Sequence, residues 1–408
     1  MESAKVIAGL TRIVHDVGVA EDLAHDALVA ALEQWPATGI PRNPAAWLMA
    51  VAKHRAIDEF RRHKMLDRKH QELGHELERQ QESVPDFETA VDDDIGDDLL
   101  GLMFIACHPV LSTESRVALT LRLLGGLTTA EIARAFLSAE PTIAQRIVRA
   151  KRTLAEAKVA FEIPRGAELV ERLSSVLEVI YLIFNEGYSA TAGDDWMRPA
   201  LCDEALRLGR ILAELVPSEP EVHGLVALME IQASRAAART GPGGEPILLL
   251  DQDRTRWDQL LIRRGLAAIE RAERLGRPRG PYLLQARIAA CHARAATADQ
   301  TDWAAIVELY GELARLMPSP VVELNRAVAV SMASGPAAAL PLVDAITGDP
   351  ALKNYHLLPT VRGDLLAKLG RYSEARPEFE RAASLTRNAR EREMLLGRAR
   401  EAAEHERR

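Results

Sequence analysis

Between Leu127 and Leu154 the residues LTTAEIARAFLSAEPTIAQRIVRAKRTL place two kinds of surface on one stretch of chain. Gln145, Arg149 and Arg152 recur on one stripe of a helical projection, and Ile143, Ile147 and Leu154 recur on another. Gln and Arg are the side chains that pair bidentately with adenine and guanine edges in the major groove. An apolar back with a Gln/Arg front therefore suits a recognition helix. A solvated basic helix has the same pattern, and both readings stand on this stretch alone. Upstream, Thr128 and Glu131 have the spacing of a capping box and predict the start of a first short helix. Residues 137–140 supply the turn, and Pro141 suits the first position of the second helix, where no backbone donor is needed.

A second cationic constellation lies near the N-terminus. Asn43 caps and Pro44 opens a helix reading PAAWLMAVAKHRAIDEFRRHK. Trp47, Val51, Ile57 and Phe60 can supply its core side, leaving Lys53, His54, Arg55, Arg61 and Arg62 as the charged remainder. The breaker-rich loop PATGIPRNP precedes it, after Trp35. Before that, residues 5–35 read as two helices. The second begins near Val19 with an acidic first turn, Glu21 and Asp22, and turns Leu23, Ala27 and Ala31 to one side.

Other chemistries find little support. The chain has no phosphate-cradling glycine loop, no nucleophile elbow and no metal-spaced His/Cys set, so no cofactor, metal or catalytic residue is expected. Cys107, Cys202 and Cys291 fit neither a zinc site nor a disulfide framework, and Cys107-His108 reads as core and turn. The paired acids Asp92–Asp94 and Asp194-Asp195 read as solvated loops. No signal peptide and no membrane-length apolar run is present, which predicts a cytoplasmic protein without a membrane partner.

The 408 residues imply two or three domains. Apolar residues make up 48% and aromatics only 4%, with Ala, Leu, Arg and Glu dominant, which predicts an all-α protein. The net charge of −8 is unusual for a free-standing DNA binder. The charge is segregated: residues 53–69 and 146–158 are basic, and 86–98 (DFETAVDDDIGDD) are acidic. Such a balance implies weak binding to naked DNA and a partner to hold the protein there.

The order of these parts is specific. An acidic helix (VAEDLAHDALVAALEQW) is followed by a Trp-bearing helix ending in AKHRAIDEFRR, then a linker, then a helix-turn-helix. This resembles the extracytoplasmic-function sigma factors of bacterial RNA polymerase, within the subgroup that carries a long C-terminal extension with tetratricopeptide repeats. WPATGIPRNPAAWL, CHPVLSTESRVALTLRLLGGLTTAEIARAFL, FNEGYSATAG, QDRTRWDQ and GPYLLQARIAACHA carry the resemblance over nearly the whole chain. It departs at Pro141, where the family more often has a helix former, and in the one or two helical turns the family usually has before the first helix.

The resemblance implies a non-enzymatic promoter-specificity subunit. Its divisions would be region 2 at 1–65, an acidic linker at 66–100, region 4 at 101–160 and a helical extension at 161–408. Region 2 would be a helical bundle, region 4 a helix-turn-helix, and the extension an α-solenoid. Asp22, Leu23, Asp26 and Leu28 would dock on the coiled coil of the core polymerase clamp; internal core is the competing reading for Leu23 and Leu28. The −10 element would be bound as single strand, with Lys53, Arg55, Arg61 and Arg62 on phosphates and Arg42, Asn43 and His54 at a flipped base. In region 4, Gln145, Arg146 and Arg149 would read −35 base edges while Thr142, Lys151 and Arg152 hold phosphates. The acidic linker would either mimic RNA in the polymerase's RNA path or act as a self-repelling tether.

From about Pro164 the basic stripes end and helical hairpins follow. Residues 356–385 place Gly363, Ala375, Phe379 and Ala382 at the small and large positions of a tetratricopeptide repeat. A weaker self-similarity joins 213–229 to 314–330, where a helix ends at Pro and another restarts. Single repeats cannot bury their faces, so the hairpins should stack as one α-solenoid offering a surface to a protein or peptide partner, or else as a structural cap. Two polar-aromatic clusters, Phe184–Tyr188 and Asp251–Arg254 with Trp257, read as a ligand groove or a domain interface. The alternative for the whole is a helix-turn-helix activator with a sensor domain, which has no need of a clamp-docking helix followed by a single-strand-binding one.

Overall fold

The computed structural model describes residues 2–44, 46–57, 95–136, 138–190, 192–193 and 195–407. Regular structure among them is helix apart from a two-residue parallel pair and an isolated antiparallel bridge between Thr240 and Pro246. The chain forms two compact units, Met1–Val179 and Ile180–Arg408.

In the first unit α1 (Glu2–Val14) and α2 (Val17–Thr38) are joined by only His15 and Asp16. Asp16 caps α2, its carboxylate accepting from the N–H groups of Gly18 at 2.7 Å and Val19 at 3.0 Å. The helix thus starts two residues before the expected Val19, and Glu21 lies beyond its first turn, where it cannot serve the helix dipole as expected. Nor does α2 stop after Trp35: it runs through Pro36 to Thr38. A proline one turn from the end forfeits a single hydrogen bond, and Gly39, with φ +83°, then closes the helix by donating to the Trp35 carbonyl.

Asn43 caps α3 (described at 44 and 46–57), its Oδ1 accepting from Ala46 N at 3.1 Å. Then come α4 (Ile95–Ala106), α5 (Thr113–Leu123), α6 (Thr129–Ala135) and α7 (Glu140–Glu156). α4 packs on α1, while α5 and α6 pack on α7, around Leu10, Leu102, Phe104, Leu119, Ile132 and Ile143. The acidic stretch 86–94 lies outside the described residues. Asp98, at its end, is buried and paired with Arg12 at 3.3 Å.

α8 (Gly166–Tyr188) belongs to the first unit as far as Val179. Arg172 donates to the Phe104 carbonyl at 3.0 Å, Ser175 to the Cys107 carbonyl at 2.5 Å, and Arg116 pairs with Glu178 at 3.0 Å.

The second unit is a succession of helices: α9 (Pro199–Leu215), α10 (Pro220–Ala233), α11 (Gln259–Arg274), α12 (Pro281–Arg294), α13 (Trp303–Leu316), α14 (Pro320–Ser334), α15 (Pro336–Ile346), α16 (Leu357–Lys368), α17 (Tyr372–Leu385) and α18 (Ala389–Glu406). Its cores hand over from helix to helix. α10, α11 and α12 share one apolar cluster; α12, α13 and α14 share the next; α14 to α18 share a third. The two breaks matched in sequence have one geometry. Val216 (φ −127°, ψ 61°) and Met317 (φ −131°, ψ 79°) end α9 and α13, each donating to the carbonyl four residues back at 2.8 Å. In α16–α17 the Phe379 ring fills the space over Gly363, where a Cβ would stand 2.9 Å from it.

The ends of this unit meet. β1 (Ala192–Gly193) pairs in parallel with β2 (Arg387–Asn388). The buried Asn388 amide donates to the carbonyls of Ala190 at 3.2 Å and Asp195 at 2.9 Å.

Candidate nucleic-acid interface

The helix-turn-helix is built by its caps. The Thr128 backbone N–H reaches Glu131 Oε2 at 2.8 Å and Glu131 N reaches Thr128 Oγ1 at 3.2 Å, closing the capping box that starts α6. The Thr128 amide and hydroxyl hold the Glu131 carboxyl below its ordinary value. Pro141 sits in the first turn of α7, and Ile143, Ile147, Ala150 and Leu154 bury the back of that helix. Thr142, Gln145, Arg149 and Arg152 are exposed, and Arg146 is half-buried at the edge of the same face. Among the described residues Arg152 pairs only with its helix neighbour Glu156, at 3.3 Å and in the open, a contact too weak to withhold it from another partner. The front of α7 therefore offers hydrogen-bond donors of fixed spacing around a buried seam, which is what reading base edges requires.

Lys151 has a different place. It stands nine positions, about two and a half helical turns, from Thr142, so it lies on the opposite side of α7. There its Nζ meets Glu21 Oε2 at 2.6 Å, while Arg122 Nε meets Glu21 Oε1 at 2.6 Å. Burial alone would raise the Glu21 carboxyl; Lys151 and Arg122 together overcome it and hold the group below its ordinary range.

On α2 the expected docking residues divide. Leu23 is in the core at 3% exposure, because it shares a stripe with Ala20, Ala27 and Ala31. Asp22 and Asp26 are exposed and Leu28 is half-buried. Asp26 makes a solvated pair with Arg55 of α3 at 3.2 Å. On and before α3, Arg42, Asn43 and His54 are exposed, and Lys53 and Arg55 are half-buried. The Asn43 carbonyl oxygen is engaged in capping, and His54 Nδ1 lies 2.8 Å from the Ala50 carbonyl, so each ring or amide keeps its other polar atom for a ligand. Partial burial, with Arg12 nearby, lowers the Lys53 ammonium pKa. Trp47 packs edge-on against Trp35, ring centres 5.4 Å apart. Arg61 and Arg62 lie outside the described residues.

Family comparison matches residues 3–65 to sigma-70 region 2 and 102–154 to sigma-70 region 4. Residues 172–273 match a family of unknown function, DUF6596. An uncharacterized protein of Rhizobium meliloti (strain 1021) is 44% identical over 392 residues, covering 95% of this chain and 90% of its own. The chain belongs to the sigma-70 family. It is an ECF-like sigma factor with a C-terminal extension. Sigma-70 proteins associate with core RNA polymerase and promoter DNA and are DNA-binding transcription regulators rather than enzymes. No helix among the described residues is long and apolar enough to cross a membrane.

Two features of this sigma factor escaped the sequence reading. On α2, Val29 (38% exposed) and Leu32 (77%) stand beside Asp22 and Asp26 and form the open apolar surface that Leu23 does not. Their positions off the Leu23–Ala27–Ala31 stripe are the signal that could have found them. On α7, Val148 is 64% exposed among the donors, a methyl-bearing side chain able to touch a thymine methyl. Glu21 gave no such signal, since its partners lie far along the chain.

Proposed function

We propose that this sigma factor directs core polymerase to a restricted set of promoters through three surfaces of its first unit. Asp22, Asp26 and Leu28, with Val29 and Leu32, meet the clamp coiled coil by an apolar patch rimmed with carboxylates. Arg42, Asn43, Lys53, His54 and Arg55, with Arg61 and Arg62, take the −10 strand. Gln145, Arg146 and Arg149 read the −35 duplex while Thr142 and Arg152 hold its phosphates; Lys151 joins them only on leaving Glu21. The observation that carries this reading is the exposed Thr142–Gln145–Arg149–Arg152 face of α7 in a chain that also matches region 2. The helical extension is a fused regulatory domain needed for normal activity, in a protein that works in the cytoplasm.

The test is reconstitution with bacterial core RNA polymerase and run-off transcription on a genomic promoter library. Discrete transcripts sharing −35 and −10 elements and appearing only with this chain are expected. Transcripts that also need a housekeeping sigma would make it an activator instead. A chain ending at Val179 should bind core polymerase but lose normal activity or regulation; full retention of both would remove the regulatory role.

A further inference from the structure

Within the second unit, three arginines gather, with Asp299 acting on Arg254 alone. Arg235 and Arg239 are 8% and 7% exposed, and Arg254 is half-buried beside them. None is in an ion pair among the described residues. They sit in an aromatic box that joins the two polar-aromatic clusters of the sequence. The Arg235 guanidinium lies 5.8 Å from the ring centres of both Tyr188 and Trp257, Arg239 rides 3.5 Å over Tyr188, and Arg254 lies 4.8 Å from Trp257. Arg239 donates to the Tyr188 carbonyl, and Arg254 donates to the His292 and Ala295 carbonyls and the Thr301 hydroxyl, leaving its buried Nε without a partner. Arg235 gives one donor to the Tyr188 hydroxyl at 2.7 Å and keeps its buried Nε without a partner. Burying Arg235 and Arg239 without a paired counter-charge is costly, and in a chain of net charge −8 it is no by-product of general basicity.

Arg235 faces a cavity of about 290 Å³ between α8, α10, α12, α13 and α14. His292 lines it too, 8% exposed, with Nδ1 unpartnered. Burial, then Arg235 and Arg254, push that imidazole down to about 4, so Arg235 is the wall's charge at neutral pH. The remaining polar lining is uncharged: Asn185, Gln232, Gln285 and Asn325, with Tyr181 and Tyr310. Gln232 Oε1 is buried with no partner, and Asn185 and Asn325 are exposed along the opening. Amide side chains carry a donor and an acceptor each and match the peptide group on both counts. Successive helices stand about 8–10 Å apart, the length of about three extended residues, so amides on neighbouring helices meet one peptide backbone at successive points.

We propose that this cavity binds the C-terminal end of a peptide, its carboxylate on Arg235 and His292 and its backbone on the amides of α8, α10 and α14, the Gln285 amide of α12 being engaged by Tyr181 and the Pro281 carbonyl. Of the three guanidiniums only Arg235 lines the cavity, and a monoanion suits that single charge. Binding is a property of the second unit and stands or falls apart from the promoter reading.

The experiment uses the full-length chain and two N-acetylated tripeptide libraries, one with free C-terminal carboxylates and one amidated, screened by native mass spectrometry and followed by calorimetry on retained members. Carboxylate peptides are expected to bind, with at least tenfold loss on amidation and in Arg235→Gln. Asn185→Leu and Asn325→Leu, exposed positions that leave folding intact, should weaken binding severalfold with an unchanged melting temperature. The proposal is overturned by no retained carboxylate peptide at millimolar concentration, by equal binding of the amidated library, or by affinity unaltered by both Asn variants. Inorganic phosphate protecting the chain as well as the peptides do would equally overturn it, reducing the site to an anion hole without backbone recognition.

Discussion

Arg149 stands exposed at the centre of the α7 donor face, over a back buried by Ile147 and Ala150. Arg149→Ala should weaken binding to a −35 duplex by about 1–3 kcal/mol and relax preference at one base pair, measured by fluorescence anisotropy at fixed salt. A uniform loss across all sequences would instead make Arg149 a phosphate contact. Glu21 poses a different residue-scale question. Its substitution by Gln leaves Arg122 and Lys151 without their counter-charge. Their side chains are 30% and 20% exposed, so the cost should be roughly 2–4 kcal/mol rather than that of a fully buried pair. Because the folded carboxyl is held below its ordinary 4.5, its contribution is complete above that pH and fades as pH falls through the lowered value. Urea midpoints of wild type and Glu21→Gln should therefore differ at pH 7 and converge as the pH falls below the ordinary carboxylate range. A pH-independent gap would mean that the carboxylate charge is not what stabilises the contact.

Elements carry the next predictions. The open side of α2 is an apolar strip beside two carboxylates, formed because Leu23 is drawn inward by the small residues it shares a stripe with. Leu32→Asp should leave the melting temperature unchanged and lower affinity for core polymerase at least about tenfold, the loss of one well-buried interface anchor. Unaltered affinity would move docking to another face. In α16–α17, Phe379→Ala removes the ring packed over Gly363 and should cost about 3–5 kcal/mol. Gly363→Ala drives a methyl into the same ring and should cost about 1–3 kcal/mol. Denaturant titration of the two variants and their combination checks the pair: the double variant should lose less than the sum, because the methyl enters space the ring has left.

For the whole molecule, the packing boundary at Val179 matters more than the end of the region-4 match at 154. A chain cut after Lys158 loses the Arg172, Ser175 and Glu178 contacts that tie α8 to α4 and α5. It should therefore unfold at lower urea than one cut after Val179, by the measure of two buried hydrogen bonds to backbone and one ion pair, about 2–4 kcal/mol. Identical midpoints would show that those residues lend the first unit nothing.

Local chemistry was legible in the residues. The capping box at Thr128 and Glu131, the Asn43 cap, the apolar seam of α7 and the repeated stops near Pro217 and Pro318 all rest on groups within four or five positions, where helical geometry fixes who meets whom. The same logic misjudged α2 at both ends, since neither a cap two residues upstream nor a terminal Gly that rescues Pro36 is visible in periodicity. Tertiary structure alone decided the rest. Whether Leu23 or Leu32 faced outward, that Lys151 would turn to Glu21, and that Tyr188, Arg235 and His292 would line one cavity depend on how helices far apart in sequence rotate against one another. Arg122 and Glu21 are 101 residues apart, and no pattern along the chain records the crossing that brings them together.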